Sequence, residues 1–217
     1  MASSRTFALS WLFAALALAF ILSLGHLPYP GAFLLKVSPI ACLLVAVILS
    51  DPRGRQRLII GALVFCGAGD ICLELGYFTP GLAAFLVGHL FYLGAFCQHL
   101  EMSAKKSLSL IALLAYTVFI VNYLSPHLGE MQIAVYLYMA VIMAMAAAAL
   151  TGRHNHPLVA LGALMFVLSD SLIAINRFVE PVPAARYWIM ALYYGAQYLL
   201  TWDARNTGGI ARRGRDT

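Results

Sequence analysis

Eight long apolar segments divide the 217-residue chain, and each holds roughly 17–21 residues. A helix of about 20 mostly apolar residues is long enough to cross the hydrocarbon core of a bilayer. The chain is 62% hydrophobic and 11% charged, and a soluble domain could not bury so much apolar surface. The sequence therefore predicts an all-α, polytopic membrane helix bundle with eight transmembrane helices. The predicted spans are residues 7–24, 32–49, 58–75, 81–100, 107–124, 130–150, 157–175 and 186–202.

The basic residues predict how this bundle is oriented. Residues 1–203 are predicted to form a single transmembrane domain, and residues 204–217 a basic, disordered cytoplasmic tail. Eleven Lys and Arg residues lie at the termini and in the loops after even-numbered segments, whereas the opposite loops hold only Arg177 and Arg186. Basic loops stay on the cytoplasmic side, so both termini are predicted to be cytoplasmic. With no organelle address visible, we expect a bacterial inner (plasma) membrane. The net charge of +5 belongs to these loops and does not indicate a nucleic-acid partner.

A weak internal repeat relates two parts of the chain. In both copies a Gly-Ala-Leu stretch leads to a phenylalanine, an aspartate, a second phenylalanine eight residues later, and then a tyrosine. The pattern predicts two four-helix halves in parallel orientation. Chance similarity in so apolar a chain remains the alternative. The matching residues are Gly61, Phe65, Asp70, Phe78 and Tyr92 in the first copy and Gly162, Phe166, Asp170, Phe178 and Tyr193 in the second.

Three acidic residues lie inside the predicted spans. Asp70 and Glu74 are four residues apart, which places both on one face of a helix. Asp170 lies in a corresponding apolar segment about a hundred residues later. A carboxylate near the middle of a membrane helix costs about 2.5–3.5 kcal/mol on insertion scales. Such residues normally face a protein interior or a wet cavity, so all three are candidates for a functional site.

Other polar side chains are predicted to lie at a similar depth. At about 1.5 Å of rise per residue, Asp70 and Asp170 both lie roughly 7 Å below the outer ends of their helices. Carboxyls that share a desolvated site can divide their roles, with one neutral and one ionised. Such a pair of carboxyls supplies the proton donor and the charged partner that acid/base hydrolysis needs, in a cavity that lipid can enter. The other polar groups placed in the outer half of the bilayer are Lys36, Glu74, His89, Tyr92, Tyr193, Tyr194 and Gln197.

At these residues the sequence resembles the lysoplasmalogenase family of eight-span membrane proteins, over about residues 32–203. The resemblance implies cofactor-independent hydrolysis of the vinyl ether bond of lysoplasmalogens. The products would be a fatty aldehyde and glycerophosphoethanolamine or glycerophosphocholine. It also implies a lysophospholipid substrate within membrane lipid, and no cofactor or metal. The residues that carry it are Lys36, Pro39, Gly69-Asp70, Phe85, Gly88-His89, Tyr92, Ser169-Asp170, Tyr193 and Gln197.

The residues fit this chemistry in the following roles. Asp70 and Asp170 are predicted to be the catalytic pair, and the sequence leaves open which of them is the general acid. Lys36 would keep one carboxylate ionised or meet the lipid phosphate, although it could also reach the headgroups as a surface residue. Glu74 has no clear place in the family pattern and could simply reach the interface. The groups expected to orient water or the carboxyls are His89, Tyr92, Tyr193 and Gln197.

Two other classes of function stay open at this point. Buried acids, a buried lysine and an internal repeat would also suit a small proton-coupled transporter. Its paired spans would be expected to be broken by Gly or Pro, and such breaks are not evident in the sequence. A non-catalytic lipid-binding protein is the third class, and it would leave the buried acids unexplained.

Overall fold

The computed structural model describes residues 2–50 and 53–206, which form an all-α bundle. The prediction of an all-α fold is therefore confirmed, and a helix occupies each of the eight predicted segments. Short 3-10 or π turns extend four of these helices or lie between them. The helices are α1 (Ala2–Ser23), α2 (Ala32–Ile48), α3 (Arg55–Glu74), α4 (Phe78–Phe96), α5 (Ala104–Leu124), α6 (Gln132–Thr151), α7 (Pro157–Ala174), α8 (Ala185–Leu200) and α9 (Trp202–Asn206).

Six of the helical segments in the described residues are long and apolar enough to cross a membrane. They contain most of α1 and all of α3–α7, and large apolar side chains cover their outer surface, as at Leu114 and Ile133. The chain is therefore an integral, multi-pass membrane protein. The helices α2 and α8 have only 17 and 16 residues. At 1.5 Å per residue they are roughly 24–26 Å long, shorter than the hydrocarbon core of about 30 Å.

The C-terminal helix α9 includes the first three residues of the predicted tail. Its Arg205 is buried and lies over the ring of Tyr198, with the guanidinium carbon 3.9 Å from the ring centroid. Arg205 also donates to the Tyr198 carbonyl at 2.7 Å and to Thr201 Oγ1 at 3.1 Å. These contacts hold α9 against the end of α8. The rest of the predicted tail, residues 207–217, lies outside the described residues.

Two helical hairpins form the centre of the bundle. The helices α3 and α4 pack along each other, as do α7 and α8, and α6 contacts both α4 and α7. A tight turn joins α3 to α4, where Gly76 has a φ of +85° and the Tyr77 amide donates to the Cys72 carbonyl at 2.8 Å. The rings of Phe78 and Phe178 meet edge to face, 6.0 Å apart, between the hairpins. This packing brings the acidic ends of α3 and α7 towards one interior region.

Glycine allows the backbones of α7 and α8 to approach closely. A Cβ atom at Gly162 would lie 2.8 Å from the Cβ of Leu199 and 3.0 Å from the Ala196 carbonyl oxygen. The latter is a backbone atom that cannot turn away. Gly94 in α4 provides a contrast, because its nearest neighbour would be Leu58 Cδ1 at an ordinary 3.6 Å.

We predict that Gly162→Ala destabilises the protein, because α8 must shift to admit the methyl group. Overpacking of this kind costs on the order of 1–3 kcal/mol, and each kcal/mol lowers Tm by about 2–4 °C in a chain of this size. Thermal unfolding of the detergent-solubilised protein measures the change. Gly94→Ala is the control and should leave Tm unchanged or slightly raised. Equal Tm values for the two variants would contradict the packing described here.

Candidate active site

Asp70 lies near the C-terminal end of α3 and is buried, with 2% of its surface exposed. Tyr193 of α8 donates a hydrogen bond from its hydroxyl to Asp70 Oδ2 at 2.6 Å. The preceding Gly69 makes room for the ring of Phe85, which would lie 2.6 Å from a Cβ atom at that position. The site therefore joins α3, α4 and α8 around one buried carboxyl.

Asp170, in α7, is held by a second network. Tyr138 of α6 donates a hydrogen bond to Asp170 Oδ2. The Nε2 atom of His89 lies 2.9 Å from the Tyr138 hydroxyl and 3.5 Å from Asp170 Oδ2. His89 is fully buried on α4. The predicted pairing of His89 with the acids thus takes the form of a triad in which a tyrosine binds both the histidine and the aspartate.

Sequence reasoning missed Tyr138. The sixth segment is rich in Ala and Met and carries no internal acid or base, so it predicted only close helix packing. The only signal was a tyrosine hydroxyl in the interior of an apolar span, since a buried hydroxyl requires a hydrogen-bond partner. Several tyrosines share that property, and only the structure identifies the one that faces Asp170.

Aromatic rings lie between the two networks. The ring centroid of Phe166 is 4.6 Å from that of His89 and 5.4 Å from that of Tyr193. Phe85 adds a second edge-to-face contact, 5.8 Å from Tyr193. Phe166 therefore touches a residue from each network. The carboxyls of Asp70 and Asp170 are also close enough to interact electrostatically.

Tyr92 and Gln197 bind each other and contact neither aspartate. The Tyr92 hydroxyl donates to Gln197 Oε1 at 2.6 Å, and both residues are fully buried. Two nitrogens in this region, Gln197 Nε2 and His89 Nδ1, have no hydrogen-bond partner among the described residues. The predicted group of orienting residues is thus divided into His89 and Tyr193, which contact the acids or their partners, and a separate Tyr92–Gln197 pair.

Glu74 lies one helical turn beyond Asp70 and forms the centre of a charged cluster. Its Oε2 atom is 3.3 Å from Lys36 Nζ, and its Oε1 atom is 3.5 Å from Arg186 Nη2. The Lys36 carbonyl also accepts a hydrogen bond from the Tyr194 hydroxyl at 2.8 Å. Lys36 forms its ion pair with Glu74, although it remains within electrostatic range of Asp70. From the sequence, Arg186 is predicted only as a basic residue at the outer loop before the eighth span.

An apolar cavity with about 60 Å³ of water-accessible space reaches Asp170 from between α3, α4, α5, α6 and α7. Aliphatic and aromatic side chains form most of its wall, and Asp170, Tyr138 and Ser171 are the polar residues that line it. The described residues contain no group of three or more His, Cys, Asp or Glu side chains that could hold a metal ion. The arrangement is an apolar chamber that ends at a hydrogen-bonded carboxyl.

Comparison with known proteins identifies the family. The model of the YhhN family matches residues 31–204. Human lysoplasmalogenase TMEM86B is 35% identical over 175 residues, which cover 80% of this chain and 75% of the human protein. Human lysoplasmalogenase TMEM86A is 36% identical over 191 residues, covering 79% and 77% of the two chains. The Mycobacterium tuberculosis lysoplasmalogenase is 32% identical over 187 residues, covering 82% and 70%. No solved structure matches. The predicted resemblance is confirmed, and the chain belongs to the YhhN family.

Proposed function

We propose that this chain hydrolyses the vinyl ether bond of lysoplasmalogens and releases a fatty aldehyde and a glycerophospho-headgroup compound. The observation that carries the proposal is Asp170, a carboxyl hydrogen-bonded to Tyr138 at the end of an apolar cavity inside a membrane protein. The relatives at 32–36% identity are named lysoplasmalogenases, which supports the same reaction. Neither their names nor the site geometry favours the transporter alternative.

The cavity suits the hydrocarbon part of such a substrate. Its wall includes Leu82 and Phe85 of α4 and Ile142 of α6, and burying an alkenyl chain against them is favourable at about 25 cal/mol per Å² of apolar surface. A chain seated there would bring its vinyl ether end towards Asp170. The single hydrocarbon chain of a lysolipid suits a site with one apolar chamber, whose side chains would move apart to admit it.

Asp170 is proposed as the general acid. It lines the cavity and can deliver a proton to the alkene carbon farther from the ether oxygen, which leaves an oxocarbenium ion. His89 and Tyr138 are positioned to return a proton to Asp170. Tyr138 is hydrogen-bonded to Asp170, and His89 lies within hydrogen-bonding distance of Tyr138 and within ion-pairing distance of Asp170. No metal or cofactor takes part in the proposed step.

Asp70 is proposed as the carboxylate that stabilises the cation. Burial favours the neutral form of this carboxyl, and two interactions oppose that preference: Lys36 lies within its electrostatic range, and Tyr193 donates a hydrogen bond to it. As water adds to the oxocarbenium carbon, its proton passes to the Asp170 carboxylate, which restores the general acid. The resulting hemiacetal then collapses: its C–O bond to glycerol breaks, the glycerol oxygen takes up the hydroxyl proton, and aldehyde is released. Two carboxyls bracket an oxocarbenium-like state in the same way in glycosidases.

The membrane arrangement is part of the proposal. We propose that α2 and α8 also span, which gives eight transmembrane helices in two parallel four-helix halves. The count of eleven basic residues on one side against two on the other supports cytoplasmic termini, and a bacterial inner membrane is the proposed location. The catalytic pair would then open towards the outer leaflet.

Removing either catalytic carboxyl should nearly abolish turnover. Asp70→Asn and Asp170→Asn are each expected to lower kcat by roughly 10²–10⁴-fold, because an amide can neither donate the acidic proton nor stabilise the cation. Aldehyde release by purified variants in lipid–detergent micelles measures the effect. Glu101→Gln removes a negative charge from an exposed loop outside the site and should retain full activity. A folded Asp70 or Asp170 variant with wild-type turnover would disprove the assignment.

Isotopes should report the order of bond making. In D₂O the aldehyde should carry one deuterium on the carbon next to its carbonyl, because protonation of the alkene precedes addition of water. In H₂¹⁸O the glycerophospho product should stay unlabelled. Water adds to the alkenyl carbon, and the hemiacetal breaks between that carbon and the glycerol oxygen, so glycerol keeps the oxygen it had in the substrate. Mass spectrometry of both products measures this. Heavy oxygen in the glycerol product, or an aldehyde without deuterium, would rule out the mechanism.

A further inference from the structure

We infer that Lys36 and Arg186 form a binding site for the phosphate of the lysophospholipid headgroup, with Glu74 holding the two cations in place. The inference rests on the proposed function and extends it to the polar half of the substrate. The three residues come from three different helices and meet at one end of the bundle: Lys36 near the start of α2, Glu74 at the end of α3 and Arg186 at the start of α8.

The three side chains of the cluster, Lys36, Arg186 and Glu74, carry two positive charges and one negative charge. Lys36 Nζ lies 3.3 Å from one oxygen of Glu74, and Arg186 Nη2 lies 3.5 Å from the other. Two cations therefore share one carboxylate, and a phosphodiester could bind the donors that Glu74 leaves open. Guanidinium and ammonium groups are the usual protein partners of phosphate, and the planar guanidinium can bind two of its oxygens at once.

The exposure of the two cations suits an entering headgroup. The Lys36 side chain is 9% exposed, whereas that of Arg186 is 59% exposed. Arg186 therefore keeps most of its donors on the open side of the cluster, and its contact with Glu74 lies at the outer limit of a hydrogen bond. Its guanidinium can rotate towards a phosphate without any change in the helices, while the buried Lys36 provides a fixed charge beneath it.

The spacing of the cluster from Asp70 matches the substrate. Glu74 is four residues beyond Asp70 on α3, which is roughly 6 Å along the helix. In a lysoplasmalogen, five bonds separate the vinyl ether oxygen from the phosphorus, and at the backbone spacing of 3.8 Å per three bonds this is also roughly 6 Å. Leu73, next to Glu74, lines the apolar cavity. A lipid with its chain in the cavity would thus place its phosphate beside Arg186 and Lys36.

Binding of two unreactive ether lipids tests the inference without depending on turnover. One probe is a 1-O-alkyl lysophosphoethanolamine and the other is the 1-O-alkylglycerol with the same chain but no phosphate. We expect the wild-type protein in micelles to bind the phosphate-bearing probe more tightly. Arg186→Gln should weaken that probe by about ten- to a hundredfold and leave the alkylglycerol unchanged. Arg186→Lys, which keeps the charge, should retain most of the affinity.

Matched controls separate this site from general charge effects. Arg57→Gln removes the same charge at the opposite end of α3 and should change neither affinity. Soluble glycerophosphoethanolamine should compete only weakly, because it lacks the chain that fills the cavity. Equal losses for both probes, no loss for the phosphate-bearing probe, equal wild-type affinities, or tight binding of the soluble compound would each overturn the inference. Failure of aldehyde release with intact phosphate-dependent binding would instead overturn the proposed reaction alone.

Discussion

Burial of carboxyls in an apolar helix bundle is the constraint on which this structure depends. Hydrocarbon supplies no hydrogen bonds, so each buried acid must find its partners on other helices. Asp70 takes its donor from Tyr193 of α8, and Asp170 takes its donor from Tyr138 of α6. Glu74 is bound by two cations instead. These requirements fix which faces of α2, α3, α4, α6, α7 and α8 turn inwards, and they assemble a polar site inside an otherwise apolar protein.

The two stretches of chain that share the Gly–Phe–Asp–Phe–Tyr pattern contribute partners to each other's aspartate at this site. Asp70 belongs to the first half and is bound by Tyr193 of the second, whereas Asp170 of the second half lies beside His89 of the first. Phe166 contacts both His89 and Tyr193. The first half alone would leave Asp70 without its donor Tyr193, whereas Asp170 takes its donor Tyr138 from its own half and gains only His89 from the other. Docking of the two hairpins therefore completes both hydrogen-bond networks, which connects the stability of the bundle to the integrity of the site.

Much of this could be predicted from the sequence, because hydropathy and helical rise locate residues along the membrane normal. The helices, the buried aspartates and the shared region of His89 and Tyr193 follow from those two quantities. Rotation about each helix axis does not follow from them when nearly every face is apolar. That is why Tyr138 was missed, and why the sequence could not choose Glu74 over Asp70 as the ion-pair partner of Lys36. Helix rotation also determines that the Tyr92 hydroxyl binds Gln197 and neither acid, because it sets which side chains face each other.

The most direct test of the account is a product balance for the purified wild-type protein. Lysoplasmalogen would be supplied in micelles with a metal chelator present, and the saturated alkyl ether and the acyl lysolipid would be run beside it. The account predicts equal amounts of fatty aldehyde and glycerophospho-headgroup compound from the vinyl ether lipid, and no cleavage of the saturated ether. Release of fatty acid from the acyl lipid without any aldehyde from lysoplasmalogen would contradict it.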